Sequence, residues 1–221
     1  MEFDPSPVLD NLAFLLAGVV MTIEVSAASI VLALALGLVL GLLRCYGPPL
    51  LRPILVFYID SMRALPVLVV IVWVFFAFPL LLGMPIRPTP AAIMAIAANV
   101  AAYVAEIVRA GIESVRGGQT MAGLALGMSR AQLVARIILP QAIVRMLPAY
   151  GNIIIVIIKD SAIASVVAVP EIMRQSATVV GQTYRPFEVY TFALLAFFVI
   201  LFPVARGIDR IYGRVAHKGR S

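Results

Sequence analysis

Long apolar stretches alternate with shorter polar ones along almost the whole chain. At a rise of ~1.5 Å per residue, a helix needs ~20 apolar residues to cross a bilayer, and several stretches reach that length. They predict five spanning helices, over about residues 23–43, 54–82, 91–112, 149–169 and 187–208. The sequence therefore predicts an all-α membrane protein that forms a single domain over residues 1–221.

The first apolar run is too long for one straight span. Residues 11–43 contain two polar interruptions, Thr22 and Glu24. A carboxylate is least costly near the lipid headgroups, where it stays hydrated. We therefore predict a shallow interfacial helix over residues 11–21 and a first span over about residues 23–43 that begins beside Glu24.

Small residues form a regular series within this first span. Ala33, Gly37 and Gly41 recur every four residues, so they share one helix face and predict close packing against another helix. The polar stretches between the spans predict loops, of which the longest cover residues 113–148 and 170–187.

Composition supports a membrane protein over a soluble protein with a large core. Hydrophobic residues make up 62% of the chain and charged residues 13%, with a mean hydropathy of +1.05. Soluble domains contain about 45–50% hydrophobic and about 25% charged residues. The net charge of +6 does not indicate nucleic-acid binding, because the basic residues flank apolar segments without interleaved aromatics. The single cysteine, Cys45, excludes an internal disulfide.

The basic residues predict the orientation of the spans, because cytoplasmic loops carry an excess of Lys and Arg. Five spans place the two termini on opposite sides. One side holds twelve basic residues: Arg44, Arg52, Arg109, Arg116, Arg130, Arg136, Arg145, Arg206, Arg210, Arg214, Lys218 and Arg220. The other side holds three: Arg87, Arg174 and Arg185. We expect the N-terminus outside, retained because it lacks the basic region of a signal peptide, and the C-terminus in the cytoplasm.

A short helix is predicted in the basic loop after the third span. Met121, Leu124, Ala125 and Met128 fall at i, i+3, i+4 and i+7, which is the spacing of one apolar stripe. Such a stripe packs against the protein's own helices or docks into a groove of a soluble partner. Its place in a cytoplasmic loop, with methionines that suit an adaptable groove, favours docking.

Ionisable groups inside the spans are candidates for function, because they are costly at that depth. Asp160 lies ~17 Å along a helix from the start of the fourth span, near the middle of the membrane. On the third span Asn99, Tyr103 and Glu106 form one polar stripe. The candidate substrate-binding residues are Arg63, Asn99, Glu106, Lys159, Asp160 and Ser161. As an alternative, Lys159 or Arg63 pairs with Asp160 or Glu106 only to hold helices together.

The loop after the third span also carries a family resemblance. Its residues read Gly118-Gln119-x-x-Ala122-x-x-x-x-Gly127-Met128-Ser129, followed by Ile138-Leu139-Pro140-Gln141-Ala142. This pattern resembles the cytoplasmic loop of permease subunits of ATP-binding cassette importers, in the polar amino acid uptake family. The second span adds Arg63-Ala64-Leu65-Pro66, which is similar to the Arg-x-x-Pro signature of that family. One departure is Met121, which stands where the family usually has a glutamate followed by two alanines.

The resemblance implies a mechanism and a set of partners. A second permease subunit, identical or related, would complete the path, two ATPase subunits would each hold one cytoplasmic helix, and an extracytoplasmic protein would deliver the substrate. The ATPase-docking residues would be Gln119, Met121, Ala122, Leu124, Ala125, Gly127 and Met128. The chain itself has no phosphate-binding loop, so we expect it to bind no cofactor, with ATP and Mg on the partner ATPase. The implied location is the bacterial inner membrane.

Other classes of function fit the sequence less well. A secondary transporter or channel would need a coupling-ion site and two halves within its own fold. An anchor subunit of a membrane enzyme would explain the spans, but not the amphipathic helix beside intramembrane charges. The sequence shows no metal-ligand spacing and no nucleophile–base pair, so nothing indicates an enzyme. A zwitterionic amino acid would suit a site that offers both a carboxylate and a cation.

Overall fold

A computed structural model describes residues 3–115 and 117–218 of the chain. Arg116 and Arg220 of the basic side lie outside these residues, as does the side chain of Lys218. The helices in chain order are α1 (Ser6–Asp10), α2 (Leu12–Tyr46), α3 (Arg52–Ala64), α4 (Val67–Val72), a π-helix (Trp73–Ala77), α5 (Phe78–Leu82), α6 (Pro88–Glu113), α7 (Gly117–Ala125), α8 (Arg130–Leu133), a π-helix (Val134–Ile138), α9 (Leu139–Asp160), a 3-10 helix (Ser161–Val167), α10 (Ile172–Thr183) and α11 (Pro186–Lys218). The all-α fold class is confirmed.

Five segments of the described chain are long and apolar enough to cross a membrane. Four are single helical stretches: Leu12–Tyr46, Pro88–Glu113, Arg130–Val167 and Pro186–Arg214. The fifth is a broken pair, Arg52–Ala64 and Val67–Leu81, whose halves are bent by 107° relative to each other. The predicted number of spans is therefore reached only when the bent pair counts as one span.

The predicted division of the first apolar run is wrong. Helix α2 continues from Leu12 through Thr22 and Glu24 without a break, and the only separate helix before it is the five-residue α1 within the described chain. The side chain of Thr22 is buried and accepts a hydrogen bond from the backbone N–H of Ile172, at 3.2 Å. Glu24 is exposed on the opposite side. The helix continues through both residues because Thr22 has a hydrogen-bond partner and Glu24 faces solvent or headgroups.

Two predicted loops are also largely helical. The loop over residues 170–187 contains helix α10, and most of the second half of the 113–148 loop belongs to the fourth helical stretch, which begins at Arg130. The local signal for that start is present in the sequence. The Ser129 hydroxyl accepts from the N–H of Gln132 while the Gln132 amide oxygen accepts from the N–H of Ser129, which is a capping box.

Helix α6 lies at the centre of the bundle and is mostly buried. It contacts α2, α3, α4 and α9. A Cβ atom added at Gly37 of α2 would lie 2.7 Å from the carbonyl oxygen of Ala101, and one added at Gly41 would lie 2.6 Å from the Cβ of Val108. Ala33 is fully buried on the same face. The predicted small-residue face is thus confirmed, and its partner is α6.

The two ends of the bundle are distinct, and we name them by their contents. The outer end holds α1, α10 and the start of α11, where the N–H of Asp4 donates to the carboxylate of Glu188. The inner end holds α7 and the last turns of α2 and α6, where Arg44 pairs with Glu106. Gly37 of α2 lies against Ala101 and Val104 of α6, and Gly41 lies against Ala105 and Val108, so these two helices run in the same direction and both end at the inner end.

A buried carboxyl group organises the outer end. Glu171 is fully buried and accepts hydrogen bonds from the N–H groups of Met173, at 2.9 Å, and Arg174, at 2.7 Å, so it caps the start of α10. Gly18 of α2 allows the close contact, since a Cβ there would lie 3.2 Å from the backbone oxygen of Glu171. Burial raises the pKa of the Glu171 carboxyl from its ordinary 4.5 to about 7, although the two N–H donors favour the charged form.

Enlarging Gly37 tests the contact between α2 and α6. We expect Gly37→Ala to destabilise the folded protein by about 1–3 kcal/mol, because the helices must separate or bend to admit the new methyl group. The thermal melting midpoint of the purified protein in detergent measures this effect. The matched control is Gly207→Ala on α11, where an added Cβ meets no atom within 4 Å. Equal melting midpoints for the two variants would contradict the packing role.

The buried carboxyl of Glu171 should make stability depend on pH. Between pH 4.5 and about 7 the unfolded chain ionises this group while the folded protein keeps it protonated. The free energy of unfolding should therefore be greatest below pH 4.5 and fall by ~3 kcal/mol as the pH rises to about 7, with no further change above it. Denaturant unfolding at a series of pH values in one detergent measures this slope.

Glu171→Gln should flatten the slope, because the amide oxygen can still cap α10 and carries no ionisable proton. The control is Glu24→Gln, which changes an exposed carboxyl on the neighbouring helix α2. A slope that is the same in Glu171→Gln as in the unaltered protein would refute the assignment.

Candidate functional site

The break in the second span is the most irregular backbone at membrane depth in the described chain. Helix α3 ends at Ala64, and Pro66 supplies no N–H, so the last carbonyl groups of α3 lose their helical partners. Two side chains of α6, Asn99 and Tyr103, donate hydrogen bonds to carbonyl groups at the break instead. The amide nitrogen of Asn99 donates to the carbonyl oxygens of Met62, at 2.7 Å, and Leu65, at 3.3 Å. These bonds hold the bend open, since unsatisfied backbone groups are costly in hydrocarbon.

A cation lies beside the same break. The hydroxyl of Tyr103 donates to the carbonyl oxygen of Arg63 at 3.0 Å, and the Arg63 guanidinium lies 5.7 Å from the centre of the Tyr103 ring. The Arg63 side chain is exposed and has no carboxylate partner among the described residues. The structure thus brings together two of the predicted site residues, Arg63 and Asn99, and adds Tyr103 to them.

The second predicted cluster lies where the fourth span changes its helical form. Helix α9 ends at Asp160, and a 3-10 helix begins at Ser161. The Ser161 hydroxyl donates to the carbonyl oxygen of Ile158 at 2.7 Å and is fully buried. Lys159 is exposed and lines a cavity of about 410 Å³ together with Phe197 of α11. Asp160 is half-buried, and neither charge is part of an ion pair within the described residues.

The two clusters are connected through the packing of their helices. The 3-10 helix after Asp160 contacts both α4, which follows the break, and the central helix α6. Both irregular segments therefore lie against α6. Each could offer one charge to a small ligand that carries the opposite one.

Glu106 has a different environment from the other predicted site residues. Its carboxylate accepts from Arg44 of α2 at 2.6 Å and from the Nε of Arg109 at 2.9 Å. Arg109 also pairs with Glu113 one turn further on. The alternative in which Lys159 or Arg63 pairs with Glu106 is therefore wrong, because Arg44 and Arg109 are its partners. Spacing of three residues could have indicated Arg109, but no sequence signal indicates Arg44, which lies 62 residues away.

At the inner end, helix α7 ends in a defined reversal of the chain. The N–H of Met128 donates to the carbonyl of Gly123 at 3.1 Å, and the N–H of Gly127 donates to that of Leu124 at 3.0 Å. Gly127 adopts a φ of 76°, which favours glycine. This is the Schellman motif, so the helix stops at Ala125.

The reversal decides which side chains of α7 reach the surface. Gly123 is buried, and an added Cβ there would lie 2.5 Å from a methyl group of Leu133. Met121 is 73% exposed and Leu124 is 49% exposed. Leu126, just beyond the helix, is 82% exposed and was not predicted. The alternative that this stripe packs against the protein's own helices is therefore not what the structure shows.

Other predicted docking residues divide between the two sides of α7. Ala122 and Ala125 are exposed. Met128 is half-buried and lies beyond the reversal of the chain at Gly127, so it does not continue the helix that carries Met121 and Leu124. Gln119 accepts a hydrogen bond from the amide of Gln141 on α9 at 3.3 Å. We define the docking face as Met121, Ala122, Leu124, Ala125 and Leu126.

Near α7, hydrogen bonds connect two spans to each other. The Arg145 guanidinium of α9 donates to the carbonyl oxygen of Ser114, the residue that ends α6, and to its hydroxyl at 3.2 Å. The contact between Gly123 and Leu133 joins α7 to the start of the fourth span. Within the described residues, no group of His, Cys, Asp or Glu side chains could hold a metal ion.

Comparison with known proteins agrees with this geometry over nearly the whole chain. Residues 11–218 match the family model described as "Binding-protein-dependent transport system inner membrane component". The glutamine transport system permease protein GlnP of Escherichia coli (strain K12) is 34% identical over 202 residues, which cover 91% of this chain and 92% of that protein. The octopine transport system permease protein OccM of Rhizobium radiobacter is 35% identical over 214 residues, covering 93% and 87%.

Solved structures give the same result for the fold. A crystal structure of an amino acid ABC transporter with histidines contains a chain with a TM-score of 0.90 and 32% identity, covering 97% of this chain and 100% of that one. A chain of the MetNI methionine ABC transporter, in inward facing conformations, has a TM-score of 0.80 at 21% identity and shares the fold. The chain therefore belongs to the family of binding-protein-dependent transport system inner membrane components, and it is a permease subunit of an ATP-binding cassette importer.

Proposed function

We propose that this permease subunit moves a polar amino acid, or a related small zwitterion, across the membrane by alternating access. The observation that carries the proposal is the broken second span, which leaves the Arg63 guanidinium beside the break without a carboxylate partner among the described residues. The names of the relatives support the substrate class, since they include permeases for glutamine, arginine and octopine.

The proposed substrate site uses opposite charges from the two irregular segments. Arg63, and Lys159 in its cavity, are suited to a substrate carboxylate, while Asp160 is suited to a substrate ammonium group. Asn99 and Ser161 have their donor groups engaged with backbone carbonyls, so their role in the site is to position it. Glu106 is left out, because Arg44 and Arg109 already bind its carboxylate.

The proposed partners follow from the family and from the docking face. A second permease subunit, identical or related, completes the path; two ATPase subunits bind and hydrolyse ATP with Mg; and an extracytoplasmic protein delivers the substrate. Each ATPase subunit receives one docking face, whose exposed apolar side chains suit a groove. The inner end faces the cytoplasm of a bacterial cell and the N-terminus lies outside, as the basic residues predict.

Movement of the ATPase subunits passes from α7 into the spans through named contacts. The Gln119–Gln141 hydrogen bond and the packing of Gly123 on Leu133 join α7 to the fourth span. Arg145 joins the end of α6 to α9. Since α2 is interlocked with α6, a displacement of α7 moves α2, α6 and α9 together relative to the broken span.

Neutralising the charges of the proposed site should impair transport without unfolding the protein. We expect Arg63→Gln and Asp160→Asn each to reduce uptake by roughly tenfold or more, because each removes a charge that pairs with the opposite charge of the substrate. The reduction is measured as ATP-dependent uptake of radiolabelled amino acid into proteoliposomes in the presence of the cognate binding protein. Arg87→Gln, at an exposed position in the outer loop, is the control. Uptake that survives both site variants would remove the assignment.

A charge on the docking face should disrupt assembly with the ATPase. Leu124→Asp places a carboxylate in the middle of the exposed apolar patch, and we expect it to reduce the ATPase recovered with the permease by roughly tenfold. Quantitative affinity purification from detergent measures the ratio of the two subunits. Tyr184→Asp, which alters an 85% exposed side chain at the outer end, is the control and should leave the ratio unchanged.

Met121→Glu distinguishes docking from a general effect of added charge on α7. It introduces the glutamate that the family usually has at this position, so we expect subunit recovery and ATP-dependent uptake to be preserved or increased. Equal losses in Met121→Glu and Leu124→Asp would show that any added carboxylate is harmful, which would contradict the proposed alignment of the docking face.

A further inference from the structure

A π-helix interrupts the fourth helical stretch near its inner end. It covers Val134–Ile138 and is closed by a bond over five residues, from the N–H of Leu139 to the carbonyl oxygen of Val134. The next residue, Pro140, has no N–H for the carbonyl of Arg136, which would be its partner in a regular α-helix. A π-turn therefore holds one residue more than the α-helical turn that it replaces, and such turns bend helices and recur at functional sites.

The other π-helix of the described chain has the same relation to a proline. Trp73–Ala77 is closed by a bond from the N–H of Phe78 to the carbonyl oxygen of Trp73, and Pro79 follows. Pro148, in contrast, lies inside α9 without a π-turn. A proline is thus part of both π-turns but does not produce one by itself, which makes Pro148 a matched control for Pro140.

The segments on the two sides of Val134–Ile138 are held by different neighbours. Before it, Leu133 packs on α7, since a Cβ added at Gly123 would lie 2.5 Å from its methyl group. After it, Met146 of α9 packs on α6, since a Cβ added at Gly111 would lie 2.7 Å from its sulfur atom. The hydrogen bonds from α9 to the end of α6 strengthen this second attachment. The π-helix therefore joins a segment held by α7 to a segment held by α6.

The contacts that cross from α7 to α9 are weak. Ile137 of the π-helix lies beside α7, where a Cβ added at Gly123 would be 3.3 Å from its terminal methyl group. Among the described residues, one hydrogen bond links α7 directly to α9, from the amide of Gln141 to Gln119 at 3.3 Å. A bond between exposed side chains exchanges for bonds to water with little change in free energy. The angle between α7 and α9 can therefore change while each keeps its own packing.

We propose that the π-helix Val134–Ile138 is a hinge between the docking element, which is α7 with α8, and helix α9. The inference rests on the proposed function, in which the ATPase subunits move α7. The hinge keeps α7 seated in the groove of its ATPase while α9 tilts together with α6, so it transmits displacement and absorbs rotation. Pro140 is a positioning residue, because the N–H that it lacks would close the turn as α-helix.

Hydrogen exchange tests the hinge without a substrate. In the complex of permease and ATPase in nanodiscs, we expect the amides of residues 134–139 to exchange roughly tenfold faster than those of residues 142–147, because a π-turn has poorer hydrogen bonds. Pro140→Ala supplies the missing donor and should slow the exchange by roughly tenfold, the effect of about one hydrogen bond. Pro148→Ala makes the same change in a regular part of α9 and should leave residues 134–139 unaffected.

Uptake and ATPase recovery separate a hinge from a purely structural role. Closing the turn leaves the docking face unaltered, so ATPase recovery should be unchanged. ATP-dependent uptake should fall by roughly tenfold while ATP hydrolysis continues, since the two steps are no longer coupled. Deletion of Ala135, which is exposed, removes the additional residue and closes the turn in a second way. Melting midpoints show that each variant is folded.

Four results would overturn the hinge. Exchange at residues 134–139 that is no faster than at residues 142–147 would do so whatever the substrate, and so would exchange that neither variant slows. Uptake that persists in a variant with slowed exchange would show that the turn does not need to open. A parallel loss of ATPase recovery would mean that the turn only shapes the docking element. The proposed function fails by a different result, uptake that survives both Arg63→Gln and Asp160→Asn.

Discussion

The close approach of α2 to α6 is the contact on which the rest of the structure depends. Gly37 and Gly41 place no side chain between the two helices, so Val104 and Val108 pack directly against the backbone of α2. Inside a bilayer, apolar side chains gain little by leaving lipid, and close packing with interhelical polar contacts supplies the specificity. The ion pair between Arg44 and Glu106 fixes the inner end of the same interface. Helix α6 is thereby held rigidly, and its other faces can position irregular segments.

The broken second span shows how such a rigid helix supports a site. A proline at membrane depth leaves carbonyl groups that hydrocarbon cannot satisfy, and Asn99 and Tyr103 of α6 supply the missing donors. These hydrogen bonds stabilise the bend. Arg63 lies beside it and has no ion-pair partner within the described chain. Polar residues on a central helix thus hold the irregular backbone, while the charges of the proposed site come from the neighbouring segments.

At the inner end, two surfaces of different chemistry lie close together. The docking face is exposed and apolar. The belt of Arg44, Glu106, Arg109 and Glu113 pairs two cations with two carboxylates, so the charges near the ends of α2 and α6 are neutralised within the protein.

The sequence by itself determined the all-α class, the number of spans, the small-residue face of α2 and the short helix with its exposed Met121. These features depend on hydropathy and on periodicity within one helix, which are local properties. Only the tertiary structure decided that α2 continues through Thr22, that Arg44 is the partner of Glu106 and that Asn99 holds the break. Each of these depends on a polar group finding its partner on another helix, and in a membrane the partner decides whether a polar residue breaks a helix, binds a ligand or joins two spans.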